Sequence, residues 1–396
     1  MTKSQTDATA LVRSRIDSID VVRGLIMILM TLDHVRDFLM IPGPSPLDMK
    51  TTSVVLFFTR WITHFCAPTF VFLAGVSAFL ASRRRSVTEM RGFLLKRGGW
   101  LILTDLLIIS LIFTFDPAYH ILVLEVLWAT GFGMVLLALL LRLYPWKIAL
   151  IGGIIFIGHN LLDYVKIDPE SVGGRILTIF LTAKGSVIPL VRGRYIVELY
   201  AVLPWASLLL IGYGFGQLFV ASFPPGRRRK LLLQAGLGMI ALFIFVRLIN
   251  VYGDPVPWSL QKNGVHTFLS FLNATKQPPS LLYFSITLGP ILVLLSFAES
   301  FAGRFASFCR VFGNVPYFYF VLHLCFIRVV NVLLIVANGF PLKSQGFPLV
   351  WQAPNFGYRL GMIYVFYVLT LFILYWPARW FGNYKRSHKQ WWLSFV

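Results

Sequence analysis

Long apolar runs separated by short polar or basic stretches dominate the chain. They place ten helices, at about 19–41, 54–82, 99–115, 120–141, 145–164, 196–220, 230–251, 279–300, 311–337 and 357–379. Most are near the ~20 residues that span a hydrocarbon layer of ~30 Å. The run at 99–115 is the shortest. None alternates with period two, which excludes a closed β-barrel. The expected fold class is all-α, a polytopic integral membrane protein with about ten transmembrane helices. One integral domain, 19–379, lies between a tail at 1–18 and a tail at 380–396. No internal repeat or low-complexity segment stands out.

Composition agrees. Of 396 residues, 57% are hydrophobic and 13% charged, about half the charge of an ordinary soluble domain. Lipid must therefore solvate much of the apolar surface. The net charge of +20 does not indicate nucleic acid, because the basic residues flank apolar spans and form no nucleic-acid motif. With the N-terminus inside, the inner segments hold 21 Lys and Arg and the outer segments nine. That bias predicts both termini in the cytoplasm. The outer loop 165–195 departs from it, with five basic residues. This loop and 252–278 are longer than a turn requires, and long ordered loops are often functional. The first 18 residues have no apolar stretch. The first span carries Asp20, Arg23, Asp33 and His34, so it reads as a retained helix, not a cleaved signal peptide. Cys66, Cys309 and Cys325 form neither a disulfide framework nor a zinc spacing, and no metal is expected.

Candidate chemistry lies inside the spans. Arg23 and His34 are eleven residues apart, almost three turns, so they share one face about 16 Å apart along the axis. Two readings of Arg23 stand: it reaches the inner headgroups or Asp20, or it lines a functional cavity. Asp33 points to a different face from His34. By helical rise, His34 lies about 10 Å from the outer end of its helix, His64 about 15 Å and His159 about 7 Å. Glu125 lies near the outer end of the fourth helix. His323 lies about 18 Å into the ninth, with Arg328 beyond it. Ionisable groups at such depth face a cavity or a partner. Several histidines with carboxylates nearby predict a water-accessible chamber, and histidine is the natural general base near neutral pH. The chamber is expected to be lined by helices one, two and nine, with His34, His64 and His323 around it.

The stretch 81–99 carries Arg83, Arg84, Arg85, Arg91, Lys96 and Arg97 with a lone Glu89. It is either a topology determinant on anionic lipid or a dock for a phosphate-bearing cytoplasmic ligand. Lys276-Gln277-Pro278-Pro279-Ser280 precedes the eighth helix. The prolines fix how that helix begins, and Ser280 is placed to cap it.

These pieces carry a resemblance. Ile16-Asp17-Ser18-Ile19-Asp20-Val21-Val22-Arg23-Gly24 with His34 resembles the opening signature of the transmembrane acyltransferase superfamily. The Arg-to-His spacing is similar to that of the type 3 acyltransferases that decorate bacterial surface glycans. Ala67-Pro68-Thr69-Phe70-Val71-Phe72-Leu73-Ala74-Gly75, the Lys276–Ser280 segment and the Pro316–His323 segment resemble the heparan-alpha-glucosaminide N-acetyltransferase catalytic-domain family. The resemblance covers most of the chain in order. It implies an acyl-CoA donor, acetyl-CoA or another, bound from the cytoplasm, a carbohydrate acceptor on the far side of the cell (inner) membrane, and a histidine that activates the acceptor or briefly carries the acyl group. Arg23, Arg83–Arg85, Arg91, Lys96 and Arg97 would then line the donor route, and Asp33, Glu125, His159, Lys276 and Ser280 the acceptor side. This chain departs from the lysosomal members. They have Asn where His34 stands, with their catalytic histidine in the first outer loop, whereas Pro42–Ser53 here contains none. His34 and His64 therefore share the candidacy. The alternative is a proton-coupled small-molecule transporter, which the absence of paired broken helices or repeated halves disfavours. The expected partners are the bilayer and the carbohydrate, with a homodimer left open.

Overall fold

The computed structural model describes residues 3–166, 168, 171–182, 186–190, 193–340 and 355–395, with side chains in the first helix from Ser18 onward. Of the basic residues assigned to outer loops, Lys184, Arg192 and Lys343 lie outside the described residues. Eight described helices are long and apolar enough to cross a membrane. The chain is a mostly helical, multi-pass membrane protein.

Helix α1 (Lys3–Leu39) is longer than expected. It absorbs much of the predicted N-terminal tail. Its charges keep it out of the eight apolar spans, yet from Ser18 it is largely buried. Around it stand α3 (Cys66–Ser82), α13 (Gly303–Gly313), α14 (Pro316–Ala337) and α15 (Leu360–Ser387). The approach to α13 is through glycines. A Cβ on Gly24 would sit 1.8 Å from the Cys309 carbonyl oxygen, and one on Gly313 would sit 1.8 Å from that of Asp20. Glycine at both positions lets the two backbones touch beside Arg23.

The second predicted span is continuous but not uniform. α2 (Val54–Trp61), the 3-10 turn Ile62–Phe65 and α3 make one 29-residue crossing. The third starts earlier than its hydropathy indicates. Ser86 and Glu89 form a capping box, so α4 (Val87–Leu103) includes Arg91, Lys96 and Arg97, three of the six basic residues assigned to a loop. A π-helical segment at Thr104–Ile109 leads into α5 (Ser110–Thr114). Within that segment, buried Asp105 accepts the backbone N–H groups of Glu125 at 3.3 Å and Trp128 at 2.5 Å. It thereby caps α6 (Val126–Leu140).

The expectation of helix throughout is corrected at two places. Ile121–Leu124 and Tyr195–Glu198, expected to begin helices four and six, are strands β1 and β3. β2 (Ser186–Pro189) completes a small sheet in the order β1-β3-β2, parallel between β1 and β3 and antiparallel between β2 and β3. Four-residue apolar runs such as Ile-Leu-Val-Leu have too little length to separate strand from helix by periodicity. A short helix α8 (Val172–Leu177) lies in the loop before them.

The remaining helices close the bundle. α7 (Pro145–Gly158) and α6 pack on α9 (Val202–Phe215), and α9 packs on α3. α10 (Pro225–Ile249) packs on α12 (Leu281–Phe297), which begins at the predicted Ser280 cap: the Ser280 hydroxyl accepts the Tyr283 N–H at 2.9 Å. The apolar windows of α10 and α15 are only 22% and 17% buried, so these helices present apolar surface outward, as lipid contact requires. Between α10 and α12, the long loop 252–278 is ordered and contains α11 (Gly264–Leu272). Arg247 pins it, donating to the carbonyls of Val256, Ser270, Phe271 and Asn273 at 2.7–3.0 Å.

Glu198 on β3 is fully buried, and neither carboxyl oxygen has a hydrogen-bond partner among the described residues. Burial pushes its carboxyl up to about 8. The unfolded chain releases this proton at about 4.3, whereas the fold retains it until about 8. Over that window the unfolded state binds fewer protons, so this group lowers stability progressively as pH rises. Glu198→Gln is expected to raise the melting temperature near pH 8 and to leave it nearly unchanged near pH 4. Identical melting curves for variant and wild type near pH 8 would contradict the assignment.

Candidate active site

Two of the three expected histidines meet directly. His34 on α1 and His323 on α14 are joined by a 2.7 Å hydrogen bond between Nδ1 of His34 and Nε2 of His323. Their rings stack with centroids 5.0 Å apart. The network assigns the protons. Nδ1 of His323 lies 2.7 Å from the Tyr319 carbonyl oxygen, which can only accept. His323 Nδ1 therefore carries a hydrogen, and with both rings neutral its Nε2 accepts from His34 Nδ1. Nε2 of His34 is left with a free lone pair. His323 is fully buried, and its ring also stacks on Tyr319. Tyr319 is held in turn by a 2.9 Å hydroxyl bond to Thr31 on α1. One face of α1 thus grips one face of α14.

His64 is placed differently. It sits in the 3-10 turn between α2 and α3, buried, with its ring edge-on to Tyr283 at 5.4 Å. Its Nε2 has no hydrogen-bond partner among the described residues. The Tyr283 hydroxyl donates to its carbonyl at 2.9 Å. No hydrogen bond links it to the His34–His323 pair.

Asp33, expected on the acceptor side, is a structural clamp. Its carboxylate accepts from Arg36 at 2.9 Å, from Arg60 at 2.6 Å on each oxygen, and from Thr63 at 2.8 Å. Arg36 also pairs with Asp37. This cluster ties α1 to the α2–α3 crossing next to His34. Arg36, Asp37, Arg60 and Thr63 were not singled out from the sequence. The signal for Arg60 was its place one turn before His64 in an apolar span.

Lys276 and Glu125 belong to the same neighbourhood. The charge of Lys276 reaches Asp33, His34, His64 and Glu125. Its ammonium lies 5.3 Å from the Tyr200 ring centroid. Burial, then the Arg60 charge, holds it below the usual lysine range, while Asp33 and Glu125 act the other way. Ser280 and His159 hold the segment that carries Lys276. Besides capping α12, Ser280 donates to Asp254 at 2.7 Å. His159 bonds the Pro279 carbonyl at 2.6 Å and carbonyls of its own helix at 3.0 and 3.1 Å, which makes it a staple between chain segments.

On the other side of the pair lies a cavity of about 300 Å³. Its body is apolar, lined by residues such as Met27, Phe70, Leu101, Met134 and Phe320. Its polar rim holds Arg23, Arg97 and Lys385. Phe320 is the link: its ring centroid is 6.2 Å from that of His34 and 5.8 Å from that of His323. Phe320 is therefore both a wall of the cavity and a neighbour of the imidazole pair. Arg23 and Met27 line it from the same α1 face as His34, as the spacing predicted. Arg23 also bonds Asp20 and Ser77, each at 2.9 Å. Of the expected basic stretch, Arg97 lines the cavity. Arg83, Arg84, Arg85, Arg91 and Lys96 do not, although Arg85 stacks over Phe93, a lining residue, at 4.5 Å. Lys385 was missed because it lies in the segment read as a tail. No cluster of His, Cys, Asp and Glu among the described residues has the form of a metal site.

Replacing Asp33 with Asn removes the central counter-charge from Arg36 and Arg60. Breaking a buried pair in this way costs about 3–5 kcal/mol. The variant should melt well below wild type in the same detergent. An unchanged melting temperature would mean that Asp37 alone suffices.

Comparison with curated proteins gives no match in sequence. The chain does match the heparan-alpha-glucosaminide N-acetyltransferase catalytic family over residues 15–248, more than half its length. The matched region includes Arg23, His34, His64 and Arg97. It stops before His323 and Lys385, which the fold returns to the same site. With that match, and with an imidazole pair set deep in a multi-pass bundle, the chain belongs to the heparan-alpha-glucosaminide N-acetyltransferase catalytic family, whose activity is acetyl transfer at a membrane.

Proposed function

We propose that the chain transfers an acetyl group from acetyl-CoA, bound from the cytoplasmic side of the cell (inner) membrane, to a hydroxyl or amino group of a carbohydrate on the far side. The observation that carries this reading is the His34–His323 hydrogen bond, which leaves a lone pair on His34 Nε2, with Phe320 beside the pair lining a cavity that also holds Arg23, Arg97 and Lys385. A narrow apolar cavity suits the arm that bears a thioester, and a cationic rim suits phosphates. Both termini and the basic rim lie on the cytoplasmic side in this reading.

In the proposed reaction the acceptor oxygen or nitrogen attacks the acetyl carbonyl while Nε2 of His34 takes its proton. The tetrahedral adduct collapses, the carbon–sulfur bond breaks, and the departing thiolate receives that proton to become the free thiol of CoA. His323 fixes the tautomer and ring plane of His34 and shares the charge that develops on it, so it acts as a positioning residue. The polar neighbourhood of Arg60, Lys276, Glu125 and Asp37 would hold the acceptor. Only the acetyl group changes sides, and CoA never crosses the bilayer. The intramembrane histidines would also suit proton-coupled transport, but membership in an acetyltransferase family does not favour it.

Proteoliposomes supplied with acetyl-CoA and a trapped carbohydrate acceptor should release free thiol. Ligand counterflow without thiol release would instead establish a transporter. His34→Ala should abolish release while the protein remains monodisperse. His323→Ala should lower kcat by about 10²–10³-fold, within the range of general-base effects, with little change in the KM for acetyl-CoA. Wild-type turnover by His34→Ala would move the base assignment to His64.

A further inference from the structure

A second and larger cleft, of about 720 Å³, opens between α13 and α15. Four basic side chains line it, Arg310, Arg379, Lys385 and Arg386, with no acidic residue in its lining. The other polar groups are Ser307, Asn314 and Asn383. Two of the guanidinium groups are already oriented. Arg310 donates to the Ser307 hydroxyl at 2.9 Å, and Arg386 to the side-chain Oδ1 of Asn383 at 2.5 Å.

This cleft adjoins the cavity beside the imidazole pair, because Asn314 and Lys385 line both. At the junction three cations are close enough to repel one another. Arg97 feels Arg23, and Lys385 feels both, with Asp20 as the carboxylate whose charge reaches Lys385. Asp20 is itself bonded to Arg23. Clustering like charges where water is scarce is unfavourable unless an anion neutralises them when bound. Two spaces of different character therefore stand side by side: a mainly apolar cavity of about 300 Å³ lined by Phe320, and a cationic cleft of about 720 Å³.

We propose that the α13–α15 cleft binds phosphate groups, and that its ligand is the adenosine 3′-phosphate 5′-diphosphate end of the donor, with the neutral arm continuing past Lys385 into the smaller cavity. This rests on the acyltransferase reading for the identity of the donor. It moves the phosphate dock from the stretch at Arg83–Arg85 to the C-terminal helix. Arginine forks suit phosphate oxygens bidentately, and the cleft offers three. An anionic lipid headgroup presents the same chemistry. The shared Asn314 and Lys385, with Phe320 lining the smaller cavity beside the imidazoles, are what favour one ligand filling both parts.

The test uses the full chain in nanodiscs of neutral phosphatidylcholine, titrated with adenosine 3′,5′-bisphosphate. Wild type should bind it, and rising salt should weaken binding. The double variant Arg379→Gln/Arg386→Gln should bind at least tenfold more weakly with an unchanged melting temperature. Arg142→Gln, a cytoplasmic-loop control remote from the cleft in sequence, should match wild type. The double variant should also raise the KM for acetyl-CoA at least tenfold and collapse the preference for acetyl-CoA over acetyl-pantetheine. Unaltered binding and KM in the double variant would overturn the cleft assignment while leaving acyl transfer standing. Failure of wild type to bind the bisphosphate, with phosphatidylglycerol co-purifying with wild type and lost from the variant, would overturn it in favour of a lipid site. Tight bisphosphate binding lost in the variant, with no acyl transfer from either donor by wild type, would uphold the phosphate site and reject the reaction.

Discussion

A charge in an apolar bundle needs a partner within reach, and α1 carries more such groups than any other crossing. Asp20, Arg23, Asp33, His34, Arg36 and Asp37 all lie on it, and each is matched by a bond or a charge. The cost of leaving one unmatched is several kcal/mol, so the arrangement of neighbours follows from these pairings. Asp33 fixes the α2–α3 crossing through Arg60 and Thr63. His34 fixes α14 through His323. Arg23 fixes α3 through Ser77 and sits beside the Gly24–Gly313 contact with α13. The most polar helix is therefore among the most enclosed, and the apolar helices α10 and α15 face outward.

The same pairings divide the interior. Toward the N-terminal half of α1 lies an apolar cavity rimmed by Arg23, Arg97 and Lys385. Toward its C-terminal end lies a neighbourhood of both charge signs, formed by Asp33, Asp37, Arg60, Lys276 and Glu125. The His34–His323 bond stands between them. In the proposed reaction, a donor and an acceptor that differ this much in polarity need not share an entrance. Meeting at one imidazole, they would avoid the passage of a large, highly charged carrier through the bilayer, where each charge is expensive.

Loop 252–278 shows how a distant segment serves that centre. Arg247 at the end of α10 gathers four backbone carbonyls, and Asp254 holds the Thr275 N–H and hydroxyl and the Ser280 hydroxyl. Trp61 donates to the Leu272 carbonyl at 3.2 Å, which binds the loop to α2. These bonds make a 27-residue connection rigid enough to present Lys276 to the acidic side chains near His34.

The sequence by itself determined the membrane class, the approximate position of most of the long helices, the shared face of Arg23 and His34, and the Ser280 cap. Each follows from rules that act within a few turns of chain: hydropathy over a span's length, 3.6-residue periodicity and local capping. It did not determine that Ile121–Leu124 and Tyr195–Glu198 are strands, because a short apolar run is satisfied equally by helix or sheet until partners exist. It did not separate Asp33, a clamp, from His34, one residue away, since only neighbours from α2 and α14 distinguish them. Nor did it show that Lys385, in an apparent tail, meets Arg23 and Arg97 across more than 280 residues. Such meetings depend on which helices adjoin, and adjacency is set by the cost of unpaired charge summed over the whole bundle, a quantity that exists only once the chain has folded.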